Sequence, residues 1–126
     1  MAWVHSRRIL HCDLRPLNLL LDGDFHIKLA NFQGKQLSES AEVILDGWSS
    51  EPTRFFYPRD DEDYGNIQTD LFALGCTIYF IMMGYAVFPD IIDGEEGWRE
   101  KVSHRFANQQ WPQEHHLCDA ITLRCW

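Results

Sequence analysis

From Leu71 to Phe88 the chain carries no charged residue, and this stretch restricts the fold more than any other feature of the sequence. An apolar run of about 18 residues lies at the lower edge of what a membrane-spanning helix requires. The same run suits a helix buried on all sides at the centre of a domain. Gly75 and Gly84 interrupt it, Pro89 ends it, and Asp70 and Asp90 flank it where a membrane span would carry Lys or Arg on one side. The expectation is a buried central helix and no membrane insertion. Thr69 reads as its N-cap, Asp70 favours the first turn, and Gly84 stops the helix after Met83.

A chain of 126 residues is one domain with enough length to bury a core, and 45% hydrophobic content with five Trp excludes general disorder. The net charge of −8 excludes nucleic acid and anionic membrane as partners, since both repel a negative field. Arg7, Arg8 and Arg15 leave room for a small anion site near the start. Cys12, Cys76, Cys118 and Cys125 form no C-x-x-C pair and no signal peptide precedes them, so the expectation is reduced thiols in an intracellular, cytoplasmic setting. His115-His116-x-Cys118 lacks a second ligand pair at zinc-like spacing and is not read as a metal site.

The other elements follow from local signals. Ala2–Arg8 has a weak helical pattern, read as the tail of a longer helix. Leu19–Leu21 and His26–Ala30 flank the turn signal Asp22-Gly23-Asp24 and predict a hairpin. Gln33 to Asn66 shows no sustained periodicity, ends in the charge run Arg59–Asp63, and reads as one long loop. A second helix is expected over Glu95–Phe106. A third is expected from near His115, with Leu117, Ile121 and Cys125 on one side.

Chemistry concentrates between Ile9 and Lys35. Asp13 and Asn18 stand on a short loop entering the hairpin, and Asn31 follows its second strand. A hairpin joins its two ends, so Asn18 and Asn31 can face one cation or phosphate, with Asp13 beside them and Arg15 supplying positive charge. The same residues also suit a polar turn whose side chains satisfy local backbone donors. Spacing alone leaves both readings open.

His11-Cys12-Asp13-Leu14-Arg15-Pro16-Leu17-Asn18 resembles the catalytic loop of protein kinases, H-R-D-L-x-x-x-N, and Asn31-Phe32-Gln33 resembles the metal-binding D-F-G. Thr69-Asp70-Leu71-Phe72-Ala73-Leu74-Gly75 is similar to the start of the central helix of the large lobe. Glu51–Arg59 sits where the peptide-binding loop and A-P-E would lie, and Arg124-Cys125-Trp126 resembles the end of a later helix. The stretches T-R-F-F-Y-P-R-D and F-Q-G-K resemble divergent kinase-like sequences of filamentous fungi. The resemblance implies a mainly α fold over residues 1–126: a kinase C-lobe with a short β-hairpin and an activation-segment-like loop. It implies ATP and Mg2+ as cofactors and Ser/Thr hydroxyls of a protein as substrate. Asp13 would be the catalytic base and Arg15 would contact the transferred phosphate. Asn18 and Asn31 would hold the metal, Leu20 would lie under the adenine, His11 and Phe32 would stack in an internal spine, and Asp70 would brace the catalytic loop.

Departures from the family pattern shape the functional expectation. Cys12 replaces the Arg that grips a phosphorylated activation loop, and Arg59 replaces the Glu of A-P-E. Asn31 replaces the metal-binding carboxylate with a neutral amide. One unit charge pair at about 4 Å and an effective dielectric near 20 is worth roughly 4 kcal/mol. Lost from a transition state, that is about a thousandfold in rate. The sequence also holds no G-x-G-x-x-G, no V-A-I-K lysine and no glutamate-bearing helix, the parts of the small lobe that roof the nucleotide. The expectation is an inactive pseudokinase-like C-lobe fragment serving as a binding or scaffold module. The alternatives are a residual kinase completed by another segment or a partner chain supplying the N-lobe, and an unrelated protein. Self-association through the exposed surface facing an N-lobe is expected for the isolated lobe.

Overall fold

A computed structural model describes residues 1–61 and 64–126; Glu62 and Asp63, within the charge run, lie outside the described residues. The uncharged run forms most of a helix, α2, over Ile67–Met83, preceded in the chain by a short helix α1, Ala2–Ser6. Two helices follow, α3 over Trp98–Ala107 and α4 over Asp119–Cys125. Two antiparallel ribbons complete the fold, β1 (Leu19–Leu21) with β2 (Ile27–Leu29), and β3 (Gln36–Leu37) with β4 (Val43–Leu45).

The core gathers on one side of α2, where Phe72, Cys76 and Tyr79 pack with Val87, Phe88, Ile91, Val102 and Phe106. Phe72 meets Phe106 edge-on at 4.9 Å between ring centres, and Trp111 stacks on Trp126 at 5.6 Å. Aromatic pairs in these geometries add about 0.5–1.5 kcal/mol each beyond the area they bury. The far side of α2 is less covered than its composition suggests: Ile81 is 55% exposed and Phe80 36%. Among the described residues no helix is long and apolar enough to cross a membrane.

Several sequence expectations are corrected. The N-cap of α2 is Asn66, not Thr69, and the helix starts earlier. Asn66 Oδ1 accepts from Thr69 N and Thr69 Oγ1 accepts from Asn66 N, both at 3.0 Å. Asn is the stronger cap, and Thr at the third helical position closes the reciprocal box. Gly84 ends the helix in the left-handed conformation at φ 78°. The second helix begins at Trp98 rather than Glu95. The third begins at Asp119, so Leu117, 96% exposed, precedes it; Ile121 on the helix is 54% exposed and Cys125 is half-buried. The inward residue is Thr122, which satisfies its hydroxyl by donating to Cys118 O at 3.1 Å. Packing against α2 overrides the apolar pattern in so short a helix.

The stretch read as one loop contains β3 and β4, whose strands are too short to carry a period. A further turn at Thr53–Phe55 is tied down by Arg54, which is buried among backbone carbonyls. Its guanidinium donates to Val87 O, to Phe88 O at 3.0 Å, to Ile91 O at 2.5 Å, and to Asp93 Oδ1 at 2.9 Å. One side chain thus joins this segment to the turn after α2, using the planar fork that Lys lacks.

Candidate functional site

The loop between Leu10 and Asn18 is held from beneath by Asp70, which sits in the first turn of α2 and is fully buried. Asp70 Oδ2 accepts from His11 N at 2.8 Å and Oδ1 accepts from Cys12 N at 2.9 Å. His5 Nε2 lies 2.9 Å from Oδ2, a contact that sequence reading missed because 65 residues separate the pair. Cys12 takes a positive φ of 57°, and its carbonyl accepts from Ser50 N at 2.8 Å, drawing the later segment onto the loop.

His11 is enclosed and stacks on Phe32 at 4.5 Å, while Phe32 itself is 46% exposed. His11 Nε2 faces the carbonyl of Ala30 at 3.0 Å, and Nδ1 receives Asp13 N at 3.3 Å. A carbonyl can only accept, so the proton belongs on Nε2 and the ring is neutral. Burial lowers the His11 pKa, against weaker raising effects from Asp70, Ala30 and Asp13. The unfolded chain then binds the proton more readily, so this contribution to stability is present above about pH 6.5 and is lost as pH falls below it. Nitrogen NMR should find the His11 ring titrating below the ordinary histidine value of about 6.5; titration above that value would contradict the assignment.

Asp13, Asn18 and Asn31 form one hydrogen-bonded chain. Asn18 Nδ2 donates to the Asp13 carbonyl at 2.6 Å and to Asp13 Oδ2 at 2.8 Å. These two acceptors fix which end of the Asn18 amide is nitrogen. Its oxygen therefore faces Asn31, and Asn31 Nδ2 donates to it at 3.0 Å. Asn31 takes φ 57°, a conformation Asn tolerates better than most residues. Arg15 Nε lies 3.1 Å from Asp13 Oδ1 as an ion pair whose angle leaves both atoms without a formed hydrogen bond. Leu20 lies on β1, 53% exposed, next to Leu21 at 63%.

Around Cys12 the later segment closes tightly. A Cβ added at Gly34 would stand 2.6 Å from Cys12 Sγ, and one at Gly65 closer still. Burial pushes the Cys12 thiol up to about 12, so it is inert as a nucleophile. Arg59, which stands where the family pattern has the Glu of A-P-E, meets Glu51 at 3.1 Å, with both side chains buried. Burial raises the Glu51 pKa and Arg59 opposes that rise. No local periodicity signals this pair, and only the turn between the two residues brings them together.

Elsewhere, Asp22, Asp24 and His26 bring ligand-type atoms within 4.8 Å of one another at the hairpin turn. Asp22 already accepts from Asp24 N and His26 N and pairs with Lys28 Nζ at 3.2 Å, so its lone pairs are committed.

The family profile of the protein kinase domain matches residues 1–122. The chain belongs to the protein kinase domain family. It is 32% identical over 100 residues to 3-phosphoinositide-dependent protein kinase 1 of Arabidopsis thaliana, covering 71% of this chain and 20% of that protein. It is 32% identical over 93 residues to cyclin-dependent kinase 17 of Caenorhabditis elegans, covering 71% and 14%. With the serine/threonine-protein kinase RUNKEL of Arabidopsis thaliana it shares 35% over 91 residues, covering 70% and 7%. The matched regions thus span a fifth or less of each relative.

Kinase domains generally use ATP and Mg2+, which poses a direct question of fit. Mg2+ requires oxygen ligands in near-octahedral array, usually with carboxylates. In this kinase domain the oxygen of Asn18 already accepts an N–H from Asn31, Asp13 Oδ2 accepts from Asn18, and the Arg15 guanidinium 3.1 Å from Asp13 Oδ1 places positive charge where a cation would stand. As arranged, these residues do not fit the ion.

Proposed function

We propose that this chain is the large lobe of a protein kinase-like domain, acting as a pseudokinase-type binding or scaffold module rather than transferring phosphate by itself. The observation that carries this reading is the 3.0 Å hydrogen bond from Asn31 Nδ2 to Asn18 Oδ1, a donor where a cation would need a lone pair. Asp13 and Asn18 then serve the loop's own structure, with Asp70 and His11 as its supports. Four free cysteines support an intracellular setting.

The test is Asn31→Asp. A carboxylate cannot donate to Asn18, so the two oxygens would need a cation between them. The variant is expected to gain Mg2+-dependent stabilisation by ADP that the parent chain lacks, and the parent chain is expected to show no phosphate transfer to Ser/Thr peptides. Transfer by the parent at a rate that Asn31→Asp leaves unchanged would sink the proposal.

A second reading has an observation in its favour. Arg15 and Asn18 both reach Asp13, the grouping a residual kinase would need for proton transfer and phosphate contact. In this reading another segment or a partner chain supplies an N-lobe, ATP and Mg2+ bind only in the completed site, and a protein hydroxyl is the substrate. Exposed Leu20, Leu21, Phe25 and Ile27 on the β1–β2 hairpin support a partner or self-association on that face. Phosphate transfer restored by adding a separate N-lobe would favour this reading over the first.

A further inference from the structure

The β3–β4 ribbon leaves one edge open. β3 is bridged to Ile9 on one side and paired with β4 on the other, so β4 is the outer strand among the described residues. Its residues Val43, Ile44 and Leu45 are 52%, 62% and 64% exposed. Val43 and Leu45 pair with Leu37 and Gln36 around one extra residue, Ile44, and these exposed aliphatic residues on an unpaired edge are a short template for another strand. Beside them opens a groove of about 610 Å³, bordered by Leu10, Leu37, Val43, Tyr64 and Ile67. Alternate side chains of an added strand would have an apolar recess to enter.

Charge selects the occupant. Glu42 and Asp46 bracket β4 and both are exposed, Asp46 with Lys35 Nζ from the groove's border 3.8 Å away, and the chain as a whole carries −8. A second copy pairing antiparallel about Ile44 would set Glu42 against Asp46 at both ends. A parallel copy would set Glu42 against Glu42. Like charges directly opposite one another destabilise a ladder. A strand with Lys or Arg at both ends meets attraction at both ends instead, stronger at Glu42 than at Asp46, where Lys35 offsets part of the charge.

We propose that the open edge of β4 is a docking site for an extended segment of a partner protein, aliphatic at its centre and basic at its flanks, which adds as a strand. The site is separate from the Asn18–Asn31 pair and does not depend on whether the chain binds nucleotide.

The experiment titrates the full chain with a synthetic peptide, Lys-Lys-Val-Thr-Val-Thr-Val-Lys-Lys, followed by calorimetry and by backbone NMR of Val43–Leu45. Two control peptides carry Glu in place of Lys, or N-methyl groups on alternate central amides. The expected results are binding that weakens with added salt, loss with either control, and about tenfold weaker binding to Ile44→Lys, a surface change that leaves the unfolding temperature unchanged. Three results overturn the proposal: no binding of the Lys peptide, equal binding of the Glu or N-methyl peptide, or a dimer of the chain that Ile44→Lys dissociates.

Discussion

Asp70→Ala is expected to cost about 3–5 kcal/mol of folding stability, enough to abolish a cooperative transition in a chain with little to spare. The substitution leaves the backbone N–H groups of His11 and Cys12 buried without an acceptor, and it removes the partner of His5 Nε2. Asp70 is fully buried beneath the loop, so bulk water does not reach these groups. Losing it therefore affects both links at once, the packing of α2 and the placement of Asp13. Urea unfolding followed by circular dichroism measures the cost, with Asp90→Ala on the surface as the comparison. A loss below about 1 kcal/mol would mean that the loop is held by something other than these hydrogen bonds.

The second large effect is expected from Cys12→Arg, which restores the residue that the family uses to grip a phosphorylated loop. In this chain the space is gone. Cys12 is 1% exposed, the backbones of Gly34 and Gly65 press on its sulfur, and Ser50 N is bonded to its carbonyl. Overpacking alone costs about 1–3 kcal/mol, and a second guanidinium near buried Arg59 adds to it. The variant should unfold at a lower temperature or fail to accumulate, while Cys12→Ala remains folded. A folded Cys12→Arg chain of parental stability would show that the segment can open, and that the close approach of Gly34 and Gly65 is not a fixed feature.

What was legible in the sequence was mostly local. Asp22-Gly23-Asp24 between two apolar runs specifies the β1–β2 hairpin through turn chemistry, and the register Leu19↔Leu29 follows from it. The central helix was legible from its lack of charge, though its cap was displaced because Asn66 and Thr69 both qualify and only reciprocal geometry separates them. The motif residues placed Asp13, Asn18 and Asn31 near one another, but not the direction of the Asn31 amide. That direction depends on two acceptors of Asp13, one of them a backbone carbonyl. Glu51–Arg59, Arg54 with its three carbonyls, and His5–Asp70 were invisible because burial of a charge is decided by tertiary contacts, which leave no period in the sequence. The burial of Thr122 on α4 was not legible from the apolar residues around it, since its hydroxyl is satisfied locally by Cys118 O.

The central claim is that the Asn18–Asn31 pair has closed on itself and no longer takes a metal. Its most direct test is thermal unfolding of the purified chain with ATP or ADP, in the presence and absence of Mg2+. A ligand that binds only the folded chain must raise its unfolding temperature. The account predicts a cooperative transition whose midpoint Mg2+ does not move, with or without nucleotide. A rise that appears only when nucleotide and Mg2+ are both present would contradict it, and would mean that Asn31 turns away from Asn18 to make room for the ion.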